Sequence, residues 1–156
     1  MFSQADAEYS EDFDINMALI YGATHFVSKT PQSNSFLIEA GSFEVINPTY
    51  AGTHYVYDVD WNAMLLEWNL EYRGTLEVVD SKGKPVYRTT CILSGDDWTI
   101  DQVSDKAGEI LFLVPAGRSF AQVKCEALGF STSYLSGNKI EMTFVGLFHK
   151  TNSIRY

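Results

Sequence analysis

The sequence has little cysteine and proline, and it lacks any long apolar run: it holds two cysteines and four prolines in 156 residues. Because no run of about 18 apolar residues occurs, we expect no membrane-spanning helix. The start of the chain has neither a basic segment nor an apolar core, so we expect no signal peptide. Synthesis in the cytoplasm, without membrane contact, is therefore the expectation.

The motifs of common catalytic and cofactor sites are also missing. No His-x-His, His-Glu-x-x-His, G-x-G-x-x-G or Walker sequence occurs. The segment from Gly129 to Ser133 approaches a nucleophile elbow but lacks its second glycine. The sequence therefore predicts a protein that is not an enzyme and that has no cofactor and no metal.

Positive charge is scarce in the first part of the chain. Lys29 is the one lysine or arginine among residues 1–60, which carry nine acidic side chains and a net charge near −8. The other 96 residues are close to neutral at −1. An acidic surface repels nucleic acid and anionic lipid, so we expect neither as a partner. A basic patch on another protein fits this charge better.

The two cysteines, Cys91 and Cys125, each fall in a predicted strand, and no C-x-x-C pair or zinc spacing accompanies them. Free cysteine is among the most buried residue types. A disulfide would need an oxidising compartment, which no sequence signal indicates. The preferred interpretation is two buried free thiols, and the sequence does not tell whether they lie close together.

The clearest pattern runs from residue 66 to residue 93. Between Leu66 and Val78 the apolar side chains fall on even positions and polar ones between them, which is typical of a strand with one buried face. Gly74 interrupts the row and predicts a bulge. Residues 80–83 then form a tight turn, so this stretch is predicted to be a long antiparallel hairpin.

The rest of the chain adds short apolar segments separated by turn residues, about eight or nine strands in all. Residues 15–28 leave two interpretations open, a short helix after an Asp14 cap or an early strand. Residues 109–114 are predicted to be a central strand, and residues 129–138 a loop. The remaining predicted strands cover residues 36–40, 42–46, 53–62, 98–103, 119–128 and 140–148.

This spacing is typical of an all-β protein, an antiparallel β-sandwich of jelly-roll or immunoglobulin-like topology. We expect one domain over residues 15–150, an acidic N-terminal arm over residues 1–14 and a C-terminal tail over residues 151–156. The arm could fray, or it could order against a neighbouring subunit through Phe2, Tyr9 and Phe13.

Two groups of residues are candidates for binding. Trp98 lies beside Asp96 and Asp97 in a predicted loop, and together with Tyr50 it could stack on a sugar ring, whereas Trp61 and Trp68 have the phase of core residues. A second group, Asp58 and Asp60, would share one face of a strand and could hold a cation or share a proton. A solvated edge is the preferred interpretation of that pair.

The chain as a whole is compact, rich in β-structure and made without a signal peptide, with an acidic arm and a short tail. In this it resembles the small β-sandwich virion proteins of tailed phages, such as capsid decoration and tail or neck accessory proteins. The resemblance implies a homo-oligomer located in the virion, in contact with other virion proteins. It is a likeness of the whole chain, so no functional residue is carried over. The alternative is a carbohydrate-binding module, with a glycan as its ligand.

Overall fold

The computed structural model describes residues 7–9, 12–46, 51–131 and 133–146, with the backbone alone for residues 7–9, 133 and 134. The chain divides into two compact units, Met1–Asn69 and Leu70–Tyr156. The predicted single domain, residues 15–150, spans both. Strands predominate within the described residues, as the sequence predicted, and they form two sheets beside two short helices. None of the helices described is long and apolar enough to cross a membrane.

The first unit is a four-stranded sheet with two helices. Its strands are β1 (Ala7–Tyr9), β2 (His25–Ser28), β3 (Leu37–Val45) and β4 (Gly52–Val59), in the order β1-β2-β4-β3. Strand β1 runs parallel to β2, and the other pairs are antiparallel. Residues 36–40 and 42–46, predicted as two strands, form the single strand β3 with a bulge between Glu39 and Gly41.

Both helices of the first unit begin at an aspartate. Helix α1 (Ile15–Tyr21) starts where the Asp14 carboxylate accepts hydrogen bonds from the N–H groups of Asn16 and Met17, and it ends at Gly22 in the left-handed conformation. Residues 15–28 therefore contain a helix and then a strand, one in each half of the segment. Helix α2 (Trp61–Glu67) starts at Asp60, whose carboxylate accepts from the Ala63 N–H at 3.1 Å.

Helix α2 lies between the predicted strand over residues 53–62 and the predicted hairpin, and it overlaps both by two residues. Its apolar residues Trp61, Met64 and Leu65 have the i, i+3, i+4 spacing of a helix. Leu66, expected in the core, is exposed. Trp61 and Trp68, both predicted in the core, are partly buried against the core of the first unit. Trp61 also donates its indole N–H to the Ala23 carbonyl at 2.7 Å. That core has four buried residues, which come from both helices, from the link between α1 and β2, and from β4: Ala18, Ala23, Val59 and Met64.

The second unit is a seven-stranded mixed sheet in the order β7-β6-β9-β10-β11-β5-β8. Its strands are β5 (Leu70–Asp80), β6 (Thr90–Ser94), β7 (Thr99–Val103), β8 (Glu109–Pro115), β9 (Gln122–Glu126), β10 (Ser133–Ser136) and β11 (Lys139–Met142). The buried cluster takes side chains from both halves of this sheet, with Val78 and Ile140 from one half and Leu93 and Val123 from the other.

The predicted hairpin is wrong, although its turn is confirmed. Strand β5 pairs with β8 and β11, and β6 pairs with β7 and β9, so β5 and β6 are not neighbours. The turn at residues 80–83 is held by the Asp80 carboxylate, which accepts from the N–H groups of Lys82 and Lys84. These bonds, that of Lys84 first, lower the pKa of Asp80. The bulge at Gly74 is also confirmed, with φ at 106° and a register shift between Tyr72 and Thr75.

Three further expectations for this unit are wrong. Residues 109–114 lie in the edge strand β8 rather than in a central strand, and their apolar run reflects side chains that are mostly buried. Residues 129–138 contain β10, whose sequence Ser-Tyr-Leu-Ser is short and has its two apolar residues side by side, so it shows no alternation. Cys91 and Cys125 face each other in register on β6 and β9 and form a disulfide rather than two free thiols.

Candidate functional site

The predicted binding loop at Trp98 is only partly available to a ligand. The indole packs partly against the core of the second unit, and its N–H donates to the Ser119 carbonyl at 3.2 Å. Asp97 forms an ion pair with Arg118, while Asp96 is exposed. Three of the four predicted residues are thus neighbours. The fourth, Tyr50, lies outside the described residues.

A tight fit fixes the position of the Trp98 ring. The backbone N–H of Gly95 donates to the Trp98 carbonyl at 3.1 Å, so residues 95–98 form a turn. A Cβ atom at Gly95 would lie 2.1 Å from the indole nitrogen and 2.4 Å from the Ser119 carbonyl oxygen. The indole therefore covers the backbone of Gly95. Trp98 thus has a structural role in addition to any role in binding.

The two aspartates of the predicted carboxylate pair have different structural roles. Asp60 caps α2, whereas Asp58 lies on β4 with its carboxylate 3.3 Å from the Nε2 atom of His25. The other ring nitrogen of His25 lies 2.9 Å from the Thr24 hydroxyl, and both side chains of the ion pair are about half exposed. Within the described ranges, no three His, Cys, Asp or Glu side chains group closely enough to hold a metal ion.

The predicted arm is partly built into the first unit. Phe13 contacts Phe26 edge to face, with ring centroids 5.3 Å apart, so it is a core residue rather than a side chain free to reach a neighbour. The backbone of Tyr9 belongs to β1, which pairs with β2 of the same chain. The structure describes only the backbone of this residue. Phe2 lies outside the described residues altogether.

Strand β3 is the feature that the sequence did not single out. It ends the sheet order of the first unit, so among the residues described no strand pairs with its outer edge. It is nine residues long, and the side chains of residues 38–44 are exposed. It contains neither lysine nor proline, the residues with which proteins commonly protect an edge, although it does carry two glutamates and a bulge.

The two faces of β3 differ in chemistry. The register with β4 places Ile38 opposite Asp58, and Phe43 opposite His54, so Ile38, Phe43 and Val45 share one face. Ile38 is 52% exposed and Phe43 is 45% exposed, although the Phe43 ring stacks on His54 at 5.4 Å. The acidic face is formed by Glu39, Ser42 and Glu44.

The charged side chains of β3 and of the sequence around it are acidic. No lysine or arginine occurs between Lys29 and Arg73, whereas β3 carries Glu39 and Glu44. Glu44 accepts a hydrogen bond from the Thr53 hydroxyl of β4, the inner neighbour of β3. An extended segment with apolar and basic side chains on alternate positions is therefore the chemical complement of this edge.

The sequence contained part of this signal, namely the absence of basic residues from 30 to 72. It did not indicate which strand ends the sheet, and so the edge was missed. Comparison with known proteins assigns no family: the chain matches no protein-family model, no curated protein and no solved structure.

Proposed function

We propose that this protein is a non-enzymatic structural protein of a virion, a capsid decoration protein or a tail or neck accessory protein, which acts through protein–protein contacts. The observation that supports this most is the unpaired edge of β3, which exposes Ile38 and Phe43 and has no lysine or proline to block pairing. Such an edge is a template on which another chain adds a strand. The partners are further copies of the chain and other virion proteins.

The disulfide between Cys91 and Cys125 supports the same proposal. Disulfides persist in oxidising surroundings, which include the surfaces of virions, and are rare in proteins that stay in a reducing cytoplasm. A virion component is synthesised in the cytoplasm and meets oxidising conditions after release of the particle. In this proposal the two halves of the seven-stranded sheet are the layers of a β-sandwich, since their side chains share one buried cluster.

The acidic arm remains part of the proposal in a shorter form. Phe13 packs in the core and Asp14 caps α1, so the deletion of residues 1–14 would damage the first unit itself. Deletion of residues 1–6 is the cleaner test. If these residues contact a neighbouring subunit, their removal weakens assembly and leaves the melting temperature of the isolated chain unchanged.

The deciding experiment is sedimentation over a wide range of concentration, which compares the full-length chain with a variant that carries a substitution on β3. Ile38→Lys places a lysine on β3 opposite Asp58, where it keeps a favourable cross-strand partner but opposes further pairing. Leu128→Lys is the matched control, because Leu128 is 76% exposed in the second unit. We expect an oligomer for the unmodified chain and the control, and a smaller species for Ile38→Lys. A strict monomer in all three contradicts self-assembly through β3.

Carbohydrate binding is the second candidate, and the partly exposed Trp98 ring beside Asp96 and the Asp97–Arg118 pair favours it. The test is a glycan array with the full-length chain and with Asp96→Ala, which leaves the indole and its hydrogen bond in place. Retention that falls with Asp96→Ala would support this candidate. No retention on any glycan would leave the assembly function as the proposal.

A further inference from the structure

The length of the outer edge of β3 limits how long a strand can pair with it. The bulge between Glu39 and Gly41 leaves a regular stretch from Gly41 to Val45. At about 3.3 Å per residue, these five residues offer a partner roughly 16 Å of straight edge. A short segment of five or six extended residues fills this length.

The C-terminal tail, residues 151–156, matches the edge in its side-chain pattern. The tail reads Thr-Asn-Ser-Ile-Arg-Tyr and lies outside the described residues. In an extended segment alternate side chains share a face. Ile154 and Tyr156 would therefore lie on one face and Arg155 on the other, and the six residues include no acidic side chain.

The side-chain pattern of the tail complements that of β3 on both faces of the sheet. Laid along the outer edge of β3, the tail brings Ile154 and Tyr156 to the face of Phe43 and Val45, while Arg155 comes to the face of Glu44. A second β3 strand is a poorer occupant, because its own glutamates would bring like charges together. The tail is thus a segment of this chain that suits β3 in length, charge and apolar phase.

We infer that the C-terminal tail of one copy adds as a strand to the outer edge of β3 in a second copy. This inference rests on the proposed function, in which copies of the chain assemble, and it names the contact by which they do so. Each copy then donates one tail and accepts another, so the contact is head to tail. Such a contact produces a closed ring when the rotation between copies closes, and an open row of copies when it does not.

The test is a charge exchange in the full-length chain, read by sedimentation over a range of concentration. Glu44→Lys alters the acceptor edge and Arg155→Glu alters the donor tail, and each turns an attractive pair into a repulsive one. Because each substitution removes an attraction and adds a repulsion, each variant should weaken association roughly tenfold, which corresponds to about 1.4 kcal/mol. The double variant, which carries both substitutions and so exchanges the two charges across the contact, should restore it.

Glu126→Lys is the matched control, because Glu126 is an exposed strand residue of the second unit and gives the same change of net charge as Glu44→Lys. It should leave association unchanged. Circular dichroism of every variant checks that the fold is retained. A labelled peptide of residues 147–156 provides a second readout: it should bind the Arg155→Glu chain and bind the double variant about tenfold more weakly.

The outcomes separate this inference from the proposed function. Association that neither single variant weakens, or that the double variant does not restore, overturns the tail contact and leaves assembly by another surface. A chain that stays monomeric at every concentration, with a peptide that does not bind, overturns the contact as well. Association that follows the charge exchange, in a protein absent from purified virions, supports the contact and contradicts the virion function.

Discussion

The disulfide between Cys91 and Cys125 should be a main source of stability in the second unit. The two residues are 34 positions apart, and their Cα atoms lie 4.1 Å apart on neighbouring strands β6 and β9. A cross-link of this kind restricts the unfolded chain. For a loop of about 34 residues, the loop-entropy relation gives a loss on reduction of about 4 kcal/mol at 25 °C.

The perturbation is the reduction of the unfolded protein followed by refolding in reductant, because both cysteines are fully buried in the folded state. The assay is urea unfolding at pH 7, with alkylation and mass measurement to count free thiols. With a slope near 2 kcal/mol per molar urea, the midpoint should fall by about 2 M. The melting temperature should fall by about 8–16 °C for a chain of this size.

The control is the double variant Cys91→Ala, Cys125→Ala, whose midpoint should not respond to reductant. Equal midpoints for the oxidised and the reduced unmodified protein would refute the reasoning, since the cross-link would then contribute nothing measurable. A chain that yields two free thiols without any reductant would refute it more directly, because the bond would not form at all.

The remaining predictions concern local contacts. Gly95→Ala should destabilise the fold by about 1–3 kcal/mol, because the new methyl group meets the Trp98 indole and a backbone oxygen, and thermal unfolding measures the loss. Asp60→Ala should cost about 1 kcal/mol as a lost N-cap, against a few tenths for Asp58→Ala, in urea titrations of both variants. For Asp80 the folded pKa is lowered, so its contribution is present above its unfolded pKa and is lost as the pH falls through the folded value. Asp80→Asn should therefore be less stable than the unmodified chain at pH 7, and urea midpoints should show that this difference shrinks below about pH 4.

Local chemistry made several features predictable. The bulge at Gly74 and the turn at Asp80 depend on a residue that tolerates positive φ or on a carboxylate that bonds nearby N–H groups, and such effects act within a few residues. The cap at Asp14 is of the same kind. The predominance of strands also followed from short alternating segments. Helix α2 was missed although Trp61, Met64 and Leu65 have the i, i+3, i+4 spacing of a helix, because its residues were divided between a predicted strand and the predicted hairpin.

The candidate site was less predictable. Three of its four proposed sugar-binding residues proved to be neighbours because they are close in sequence, but Arg118 and Ser119, which hold the loop in place, come from a distant segment. The exposed edge of β3 could not be read from the sequence at all, since it depends on which strands pair.

The sequence by itself determined the predominance of strands, the acidic character of the first part of the chain and the position of several turns. These properties depend on side-chain type and on spacing over a few residues. The tertiary structure alone decided the strand order, and with it the neighbours of Cys91, the place of β8 at an edge and the exposure of β3. Strand order depends on which distant segments bury their apolar faces together, and many arrangements satisfy the same local pattern.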